Sequence, residues 1–519
     1  MKEEWVIKNG KLLTMDGGRR ADWIAVSGGK IKDLGTGDGY RAYLSPSTAV
    51  IDAGGCTVLP GFIDNHFHLV ITALGAQWVS LEGVRNFRGI GKRLKAAQAK
   101  NPGRPLIAAK LEWENLEERR MPDRTVLDRY CKNTPAAVYS ADYHLLSLNT
   151  CGMLFFKIPF TLEGIGLDRG GIPTGIFTGR AGAKLDTNIL ASFTEEDLSR
   201  AVEQIMPELF RLGLTTVAAM EGGKMNMDFR RDRDADFLYR HGDRYPMTME
   251  LFYPTTDIEM VTEMGLRRIG GALYIDGTIG ARSAALSEEY ADLPGARGFL
   301  CIDPEALKAF TAECCRRNLQ VSFDAIGDKA VDAALDAFAY AEKVCGIRDL
   351  RCRIEHAEMI TKKQMERAKD LSIVLCVQPA YEGRWGGAGR LYEQRLGSRY
   401  KTTNPLRELF DRDIVVCGGS DSDVTDPNPL TGIHWAVNHP VEEHRITLEE
   451  ALKMYTCNGA FALFKEKEIG TLTPGKNADL VILDRDLEST EAEKIKDTNV
   501  VLTMKDGEIL YGRGEYAEI

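Results

Sequence analysis

Two histidines separated by one residue follow an apolar segment near the amino terminus. They close the run Pro60–His68 (PGFIDNHFH). Alternate side chains of a β-strand share a face, so His66 and His68 are expected to point the same way, with Phe67 opposite. Two imidazoles at a strand end are ligands that Zn²⁺ and similar divalent ions prefer. This spacing therefore predicts a metal site.

Three later segments end in a histidine or an aspartate, which are also common metal ligands. They are Val321–Asp324 (VSFD), Arg353–His356 (RIEH) and Cys417–Asp421 (CGGSD). In a barrel of parallel strands, reactive residues collect where the carboxyl ends of the strands meet. A third histidine and a carboxylate there would complete a mononuclear site with one open position for water.

The elements that must position these side chains alternate between helix and strand. Thr194–Asp197 is a capping box that opens a helix, and Thr215–Met220 follows as a buried strand. The same succession repeats up to Ile414–Cys417. It predicts an α/β fold, and its length favours a (β/α)8 TIM-like barrel over an open sheet. Residues 77–190 do not fit the alternation, and we interpret them as an insertion that contributes to the substrate pocket.

Both ends of the chain have strand-like patterns. The pairs Asn9-Gly10, Gly28-Gly29 and Asp506-Gly507 lie between apolar runs and predict hairpins. We therefore expect residues 1–59 and 465–519 to form one composite β-sandwich module, with the barrel in residues 60–464.

Composition excludes several classes of function. The net charge is −10 without a basic run, which argues against nucleic acid as a partner. No apolar run reaches about 18 residues, so no membrane partner is expected. The 11 cysteines include no C-x-x-C pair, and the first residues lack a signal-peptide pattern, which together predict a cytoplasmic protein. The expected partner is a small-molecule substrate, and a homodimer is left open.

These motifs resemble the amidohydrolase superfamily, and within it the YtcJ-like branch (amidohydrolase family 3), which includes N-substituted formamide deformylases. The resemblance covers nearly the whole chain. Besides Pro60–His68, it is carried by Asp276–Leu286 (DGTIGARSAAL), Ala325–Ala330 (AIGDKA), Arg353–Ala357 (RIEHA), Gly419–Asp421 (GSD) and Gly470–Leu480 (GTLTPGKNADL).

The resemblance implies a role for each of the four main candidates. His66 and His68 would be metal ligands from the first strand, and His356 a ligand from the sixth. Asp421, from the eighth strand, would bind metal, take a proton from the activated water and pass it to the departing nitrogen. The metal, or a histidine near it, would stabilise the oxyanion, so Asp421 and His356 are the predicted catalytic residues.

Two departures from the family pattern affect the metal. The usual fifth-strand histidine is replaced by Asp324, a possible ligand that makes the site more tolerant of Mn²⁺. The position of a carbamate-forming lysine holds Ala272, although Glu221 offers a possible bridging carboxylate. One ion is therefore favoured over two, with Zn²⁺ expected and Mn²⁺ or Fe²⁺ as alternatives.

Four further residues are candidates for substrate binding, each with a structural alternative. His144 resembles part of a substrate-side segment, or it is a hydrogen-bonded structural histidine. Arg282 could bind an anionic group or form an ion pair that holds its loop. Gln378 ends a strand and is expected to shape the pocket, and Trp385 forms an apolar wall or packs within its loop.

The predicted function is hydrolysis of a non-peptide carbon–nitrogen bond in an amide, formamide or cyclic amide. The sequence leaves two alternatives open. The same scaffold could deaminate an amino-heterocycle, because both reactions use a metal-activated water. With the histidine and the lysine both missing, the chain could also be a degenerate paralogue that binds a ligand without turnover.

Overall fold

A computed structural model describes residues 4–100, 102–141, 143, 145–158, 161–222 and 232–513. The chain divides into two compact units. The first combines Met1–Leu69 with Glu203–Ile519, and the second is Val70–Val202. Across the described ranges, no helix has the length and apolar character needed to cross a membrane. All 11 cysteines are free thiols.

Eight parallel strands form the centre of the first unit. We number them in chain order: β1 Phe62–Phe67, β2 Leu214–Ala219, β3 Thr248–Leu251, β4 Arg268–Tyr274, β5 Gln320–Ala325, β6 Arg353–His356, β7 Val374–Val377 and β8 Val416–Gly418. Strands β1–β3 pair as one sheet and β4–β8 as a second. Single bridges join the sheets at both edges, from Tyr253 to Ile269 and from Phe67 to Ser422. The strands thus follow one another around a barrel, which confirms the expected fold class.

Helices separate the strands, as the alternation predicts. Those of the first unit, with the helix that leads into it, are Glu195–Arg211, Arg233–His241, Ile258–Glu263, Pro304–Arg316, Asp328–Cys345, Lys362–Asp370, Pro379–Arg384, Leu391–Leu396, Leu406–Phe410, Pro429–Val437, Leu448–Met454 and Cys457–Ala462. The expected capping box is formed, because the Asp197 N–H donates to Thr194 Oγ1 at 3.2 Å while the Thr194 N–H donates to the Asp197 carboxylate at 2.9 Å.

Both ends of the chain contribute to a pair of β-sheets. The four-stranded sheet has the order Lys30–Gly35, Trp23–Ser27, Glu4–Lys8, Thr48–Asp52. The six-stranded sheet has the order Glu508–Gly512, Val500–Lys505, Leu480–Leu483, Thr57–Pro60, Lys11–Leu13, Arg20–Ala21. Ile7 and Ile24 of the first sheet share one apolar core with Leu480 and Leu502 of the second, so the two sheets form a sandwich. The domain boundaries at 59/60 and 464/465 stay a prediction, since the compact units divide elsewhere.

The hairpin expected at Asn9-Gly10 is wrong. Glu4–Lys8 pairs within the four-stranded sheet, whereas Lys11–Leu13 pairs within the six-stranded sheet. Asn9 has a φ of 55°, and the chain passes there from one sheet to the other. This crossing lets Ile7 and Leu12 enter the shared core from opposite sides. The Asn9-Gly10 pair predicts that the chain turns, but it does not predict which strands pair on either side of the turn. The other two expected hairpins are formed.

The second unit has a regular sheet that the sequence does not reveal. Its six strands have the order Ile165–Leu167, Pro173–Phe177, Leu146–Leu148, Ala136–Ser140, Leu106–Leu111, Val79–Ser80. Its helices are Phe87–Lys100, Arg124–Cys131, Thr150–Phe155 and Gly179–Leu190, and the helix Leu69–Gly75 leads into it. Two apolar clusters pack on the sheet. Three of the six strands have three residues or fewer and are too short for an alternation to be recognised.

Candidate metal centre and active site

Five side chains predicted to bind metal meet at the carboxyl ends of the barrel strands. His66 lies on β1, Asp324 on β5 and His356 on β6, while His68 and Asp421 lie just beyond β1 and β8. All five are buried. They form two groups that share His66, one with His68 and Asp421 and the other with Asp324 and His356. In each group the potential ligand atoms lie within 4.8 Å of one another.

Each group contains a close contact between an imidazole and a carboxylate. His68 Nε2 lies 2.9 Å from Asp421 Oδ1, and His66 Nε2 lies 3.4 Å from the same oxygen. His356 Nε2 lies 2.9 Å from Asp324 Oδ2. The ring centres of His66 and His356 are 4.9 Å apart. The five side chains therefore surround one small volume.

Two of these residues have a backbone conformation that is unusual outside glycine. His356 has a φ of 67° and Asp421 a φ of 52°. Such left-handed conformations are sterically unfavourable for residues with a Cβ and are found at functional sites, where surrounding contacts hold them. One such contact is the Asp421 N–H, which donates to the His66 carbonyl at 2.8 Å.

A buried ion pair fixes the orientation of His66. Its Nδ1 lies 2.9 Å from Glu355 Oε2, so Nδ1 carries the proton and Nε2 is left for a ligand. Arg353 donates to both oxygens of Glu355, at 2.8 and 2.9 Å, and also to the carbonyl of Asn65 at 2.6 Å. Ser322 Oγ also donates to Glu355. His66 is therefore held by a carboxylate with hydrogen bonds to both of its oxygens, while Arg353 Nη1 has no hydrogen-bond partner among the described residues.

The electrostatics of the site favour a cation. Burial opposes ionisation of Glu355, but the Arg353 charge and the His66 hydrogen bond outweigh it and lower the pKa of Glu355 to about 2. Burial likewise opposes a charge on His66 and His356. Neighbouring carboxylates nevertheless raise the pKa of His66 to about 10 and that of His356 to about 9. A field that holds protons on buried imidazoles also stabilises a metal ion in their place.

Buried atoms without hydrogen-bond partners also indicate a metal site. Among the described residues, His66 Nε2, His356 Nδ1 and Asp324 Oδ1 are buried and have no hydrogen-bond partner. Buried nitrogen and oxygen atoms normally find one. Two imidazole nitrogens and a carboxylate oxygen are a donor set that a divalent transition metal accepts. The residues present therefore fit the ion.

Tyr381 is a member of the site that the sequence did not predict. It lies in the helix Pro379–Arg384 after β7, and its hydroxyl donates to Asp421 Oδ2. Its ring stacks on that of His356 with a centroid distance of 5.9 Å. Burial and the Asp421 charge raise the pKa of Tyr381, so it remains a donor. Tyr381 lies in the first turn of a short helix, and nothing in the sequence around it indicates a contact with Asp421.

The motif at Asp276 organises two loops. The buried carboxylate of Asp276 accepts backbone N–H bonds from Ala285 at 2.7 Å, Ile326 at 2.9 Å and Gly327 at 2.8 Å. It thereby ties the loop after β4 to the loop after β5. This contact gives a physical reason for the DGTIG and AIGD segments that carry the family resemblance.

Two other candidates from the sequence lie at strand ends without joining the ligand groups. Glu221 is buried, and its Oε1 accepts the Leu69 N–H at 2.7 Å. Neither three-ligand group identified among the described residues includes it. Gln378 is buried, and neither its Oε1 nor its Nε2 has a hydrogen-bond partner within the described part of the chain.

The remaining substrate-binding candidates have different surroundings. Arg282 donates to both oxygens of Asp292, at 3.0 and 2.7 Å, so its guanidinium fork is occupied by an ion pair that holds the loop. The Trp385 ring packs edge-on against Tyr381 at 4.7 Å between centroids. His144 lies outside the described residues.

Comparison with known proteins assigns the family. A family model described as "Amidohydrolase family" matches residues 49–511. The chain belongs to this amidohydrolase family. The amidohydrolase is 27% identical to an N-substituted formamide deformylase from Arthrobacter pascens, over 98% of each protein. It is 25% identical to the YtcJ protein of Bacillus subtilis, over 98% of this chain and 99% of the relative.

A solved structure agrees with the fold of the amidohydrolase. An uncharacterized metal-dependent hydrolase from Pyrococcus horikoshii superposes with a TM-score of 0.77 and 25% identity, over 94% of this chain and 99% of that one. The resemblance to this family is thus confirmed. The amidohydrolase is a hydrolase that acts on carbon–nitrogen bonds, and the match to a metal-dependent hydrolase, together with the ligand groups, supports a divalent metal.

Proposed function

We propose that the chain hydrolyses a non-peptide carbon–nitrogen bond of a small amide, formamide or cyclic amide with one divalent ion. The observation that carries this proposal is the convergence of five buried ligand-type side chains, three of which have an unpartnered atom. The ligands would be His66, His68, His356 and Asp421, with Asp324 as an additional ligand.

Zinc is the ion we expect, because three of the five candidate ligands are imidazoles. The two carboxylates also suit Mn²⁺ or Fe²⁺. When bound, such an ion supplies Lewis acidity, which lowers the pKa of a water molecule and polarises a carbonyl group. The remaining chemistry falls to the side chains of the protein.

Asp421 is the proposed proton carrier. Burial opposes its ionisation, but hydrogen bonds and charge from His66 and His68 outweigh burial and hold the pKa of Asp421 well below its usual range. It is therefore a carboxylate at neutral pH and able to accept a proton from the attacking water. It would then return that proton to the nitrogen of the leaving group.

His356 is the proposed second catalytic residue. It lies beside the reaction volume, with Nε2 on Asp324 and Nδ1 without a partner. Because Asp324 holds Nε2, Nδ1 would hold the ion, whose Lewis acidity would stabilise negative charge on the former carbonyl oxygen.

A product-resolved assay tests this function. Protein expressed with added zinc or manganese is incubated with N-substituted formamides, linear amides, lactams and amino-heterocycles, and carboxylate, amine and ammonia are measured separately. We expect carboxylate and amine in equal amounts, lost with EDTA and restored by the metal. The variant Asp413→Asn is a matched control for Asp421→Asn, because Asp413 is exposed and also has a positive φ of 51°.

Other outcomes would overturn the proposal in distinct ways. Release of ammonia from amino-heterocycles alone would indicate a deaminase. Less than about half an equivalent of metal despite supplementation, with no turnover of any compound, would indicate a paralogue that binds without catalysis.

A further inference from the structure

Gln378 carries a buried carboxamide that nothing in the described part of the chain satisfies. The residue is 1% exposed, and both its Oε1 and its Nε2 lack a hydrogen-bond partner. A carboxamide offers two donors and an acceptor, and leaving such groups unpaired in the interior is unfavourable because they lose their hydrogen bonds to water. Such a group needs a partner that the described residues do not supply, and a bound molecule or an ordered water can provide it.

The strand register places Gln378 on the inner face of the barrel. Glu355 reaches His66 on β1 from β6, and Arg353 reaches the Asn65 carbonyl in the same way, so these side chains cross the interior. Cys376 pairs in register with Glu355 and therefore shares that face. Gln378 is two residues further along and returns to the same face by the alternation of a strand.

A hydrogen bond between the ends of β7 and β8 fixes the position of Gln378 along the barrel. The Gly419 N–H donates to the Val377 carbonyl at 3.0 Å, so Gln378 lies level with the segment that leads from β8 to Asp421. Three residues later Tyr381 donates to Asp421. Gln378 thus lies at the reactive end of the barrel, on the same short segment as a residue that contacts the ligand cluster.

The shape of a carboxamide determines what it can bind at two points. Its carbonyl oxygen and one N–H lie side by side on one edge and pair with a partner edge that presents a donor beside an acceptor, as glutamine does with adenine. In a lactam, cyclic urea or imide, the ring forces the carbonyl and the N–H onto the same edge. Open-chain secondary amides prefer to place these groups on opposite sides.

We propose that Gln378 binds a cyclic amide edge of the substrate, through its Oε1 to the ring N–H and its Nε2 to the ring carbonyl. This inference rests on the proposed function and narrows its substrate class from amides in general to rings that carry such an edge.

The test is a comparison of two rings of equal size. 2-Piperidone has the N–H and carbonyl edge, and cyclohexanone has a methylene group in place of the N–H. Binding of each to the zinc-loaded protein is measured by ligand-observed NMR titration. We expect the wild type to bind 2-piperidone about ten-fold more tightly, the discrimination typical of one two-point pair. Gln378→Met should bind both rings equally.

Two further variants complete the design. Gln378→Leu repeats the loss of hydrogen bonding with a different side chain, in case the methionine variant fails to fold. Gln394→Met makes the same change at an exposed glutamine and should leave the preference intact.

Equal binding of both rings by the wild type, or a preference that survives in Gln378→Met and Gln378→Leu, would overturn the inference and leave an ordered water as the partner of Gln378. Failure of the proposed function is distinguishable, because it would abolish turnover of every amide while the Gln378-dependent preference in binding remained.

Discussion

The Glu355 carboxylate lies 2.9 Å from Nδ1 of His66, across the interior of the barrel from β6 to β1. Arg353 pairs with the same carboxylate through two hydrogen bonds. The contact fixes both the tautomer and the orientation of a proposed metal ligand. Mutation of a hydrogen-bond partner of this kind lowers metal affinity about 10- to 100-fold.

Replacing Glu355 by glutamine tests that contribution. Glu355→Gln keeps the size of the side chain but removes the negative charge that holds His66 and Arg353. We expect zinc affinity to fall about 10- to 100-fold, measured by competition with a chelating dye. Circular dichroism checks folding, because an Arg353 left without its charge partner also destabilises the barrel. Unchanged affinity in a folded variant would contradict the role given to Glu355.

Asp421→Asn is expected to abolish turnover while the fold is retained. Asparagine has nearly the same shape and tolerates the positive φ of 52° at this position. It cannot accept a proton from water at neutral pH, so kcat should fall by about 10²-fold or more. Steady-state kinetics and thermal unfolding would be compared with Asp413→Asn. An Asp421→Asn enzyme with wild-type kcat would disprove the proton-carrier role.

Tyr381→Phe removes one hydrogen bond to Asp421 and leaves the ring stack on His356. A hydrogen bond to a charged group contributes about 1.5–3 kcal/mol, and 1.36 kcal/mol corresponds to a ten-fold change in rate. We expect kcat to fall about ten-fold with KM nearly unchanged, because Tyr381 positions Asp421. Tyr340→Phe, at an exposed tyrosine, is the control. A change confined to KM would instead indicate that Tyr381 contacts the substrate.

Glu382 should make the stability of the protein depend on pH. Burial raises the pKa of Glu382 to about 8 against the hydrogen bonds from Asn404 and Thr403, and its Oε2 lies 3.8 Å from His439 Nε2. Between pH 4.5 and 8 the unfolded chain releases this proton while the folded protein keeps it. The contribution of Glu382 to the free energy of unfolding therefore falls by about 1.4 kcal/mol per pH unit as pH rises through this range.

Glu382→Gln removes the contribution of this one carboxyl to the pH dependence. We expect the variant to gain stability relative to the wild type as pH rises from 5 to 7, measured by chemical denaturation at each pH. Glu443→Gln, at an exposed glutamate, controls for the loss of one negative charge. A difference between Glu382→Gln and the wild type that is the same at every pH would show that the folded carboxyl does not retain its proton.

The barrel and most of the side chains that converge at its carboxyl end could be predicted because both follow from local rules. The H-x-H pair at the end of β1, with His356 and Asp421 at the ends of later strands, needs only the rule that carboxyl ends of parallel strands meet. The role of Glu355 could not be predicted, since its contact with His66 joins residues 289 positions apart. The contact of Tyr381 with Asp421 could not be predicted either, because it depends on how a short helix packs against a distant part of the chain.

The errors in the predicted fold also come from contacts between distant parts of the chain. The Asn9-Gly10 signal is local, whereas the choice of partner for each neighbouring strand depends on which sheet buries Ile7 and Leu12. The short strands of the second unit, such as Leu146–Leu148, are stabilised by pairing across the sheet, which the sequence does not display.

The most direct measurement of the central claim is anomalous X-ray diffraction from crystals of the wild-type protein grown with zinc. We expect a single strong anomalous peak within bonding distance of the imidazoles of His66, His68 and His356 and of the Asp421 carboxylate. Diffraction that shows His68 still hydrogen-bonded directly to Asp421, with no anomalous peak among the four side chains, would contradict the account.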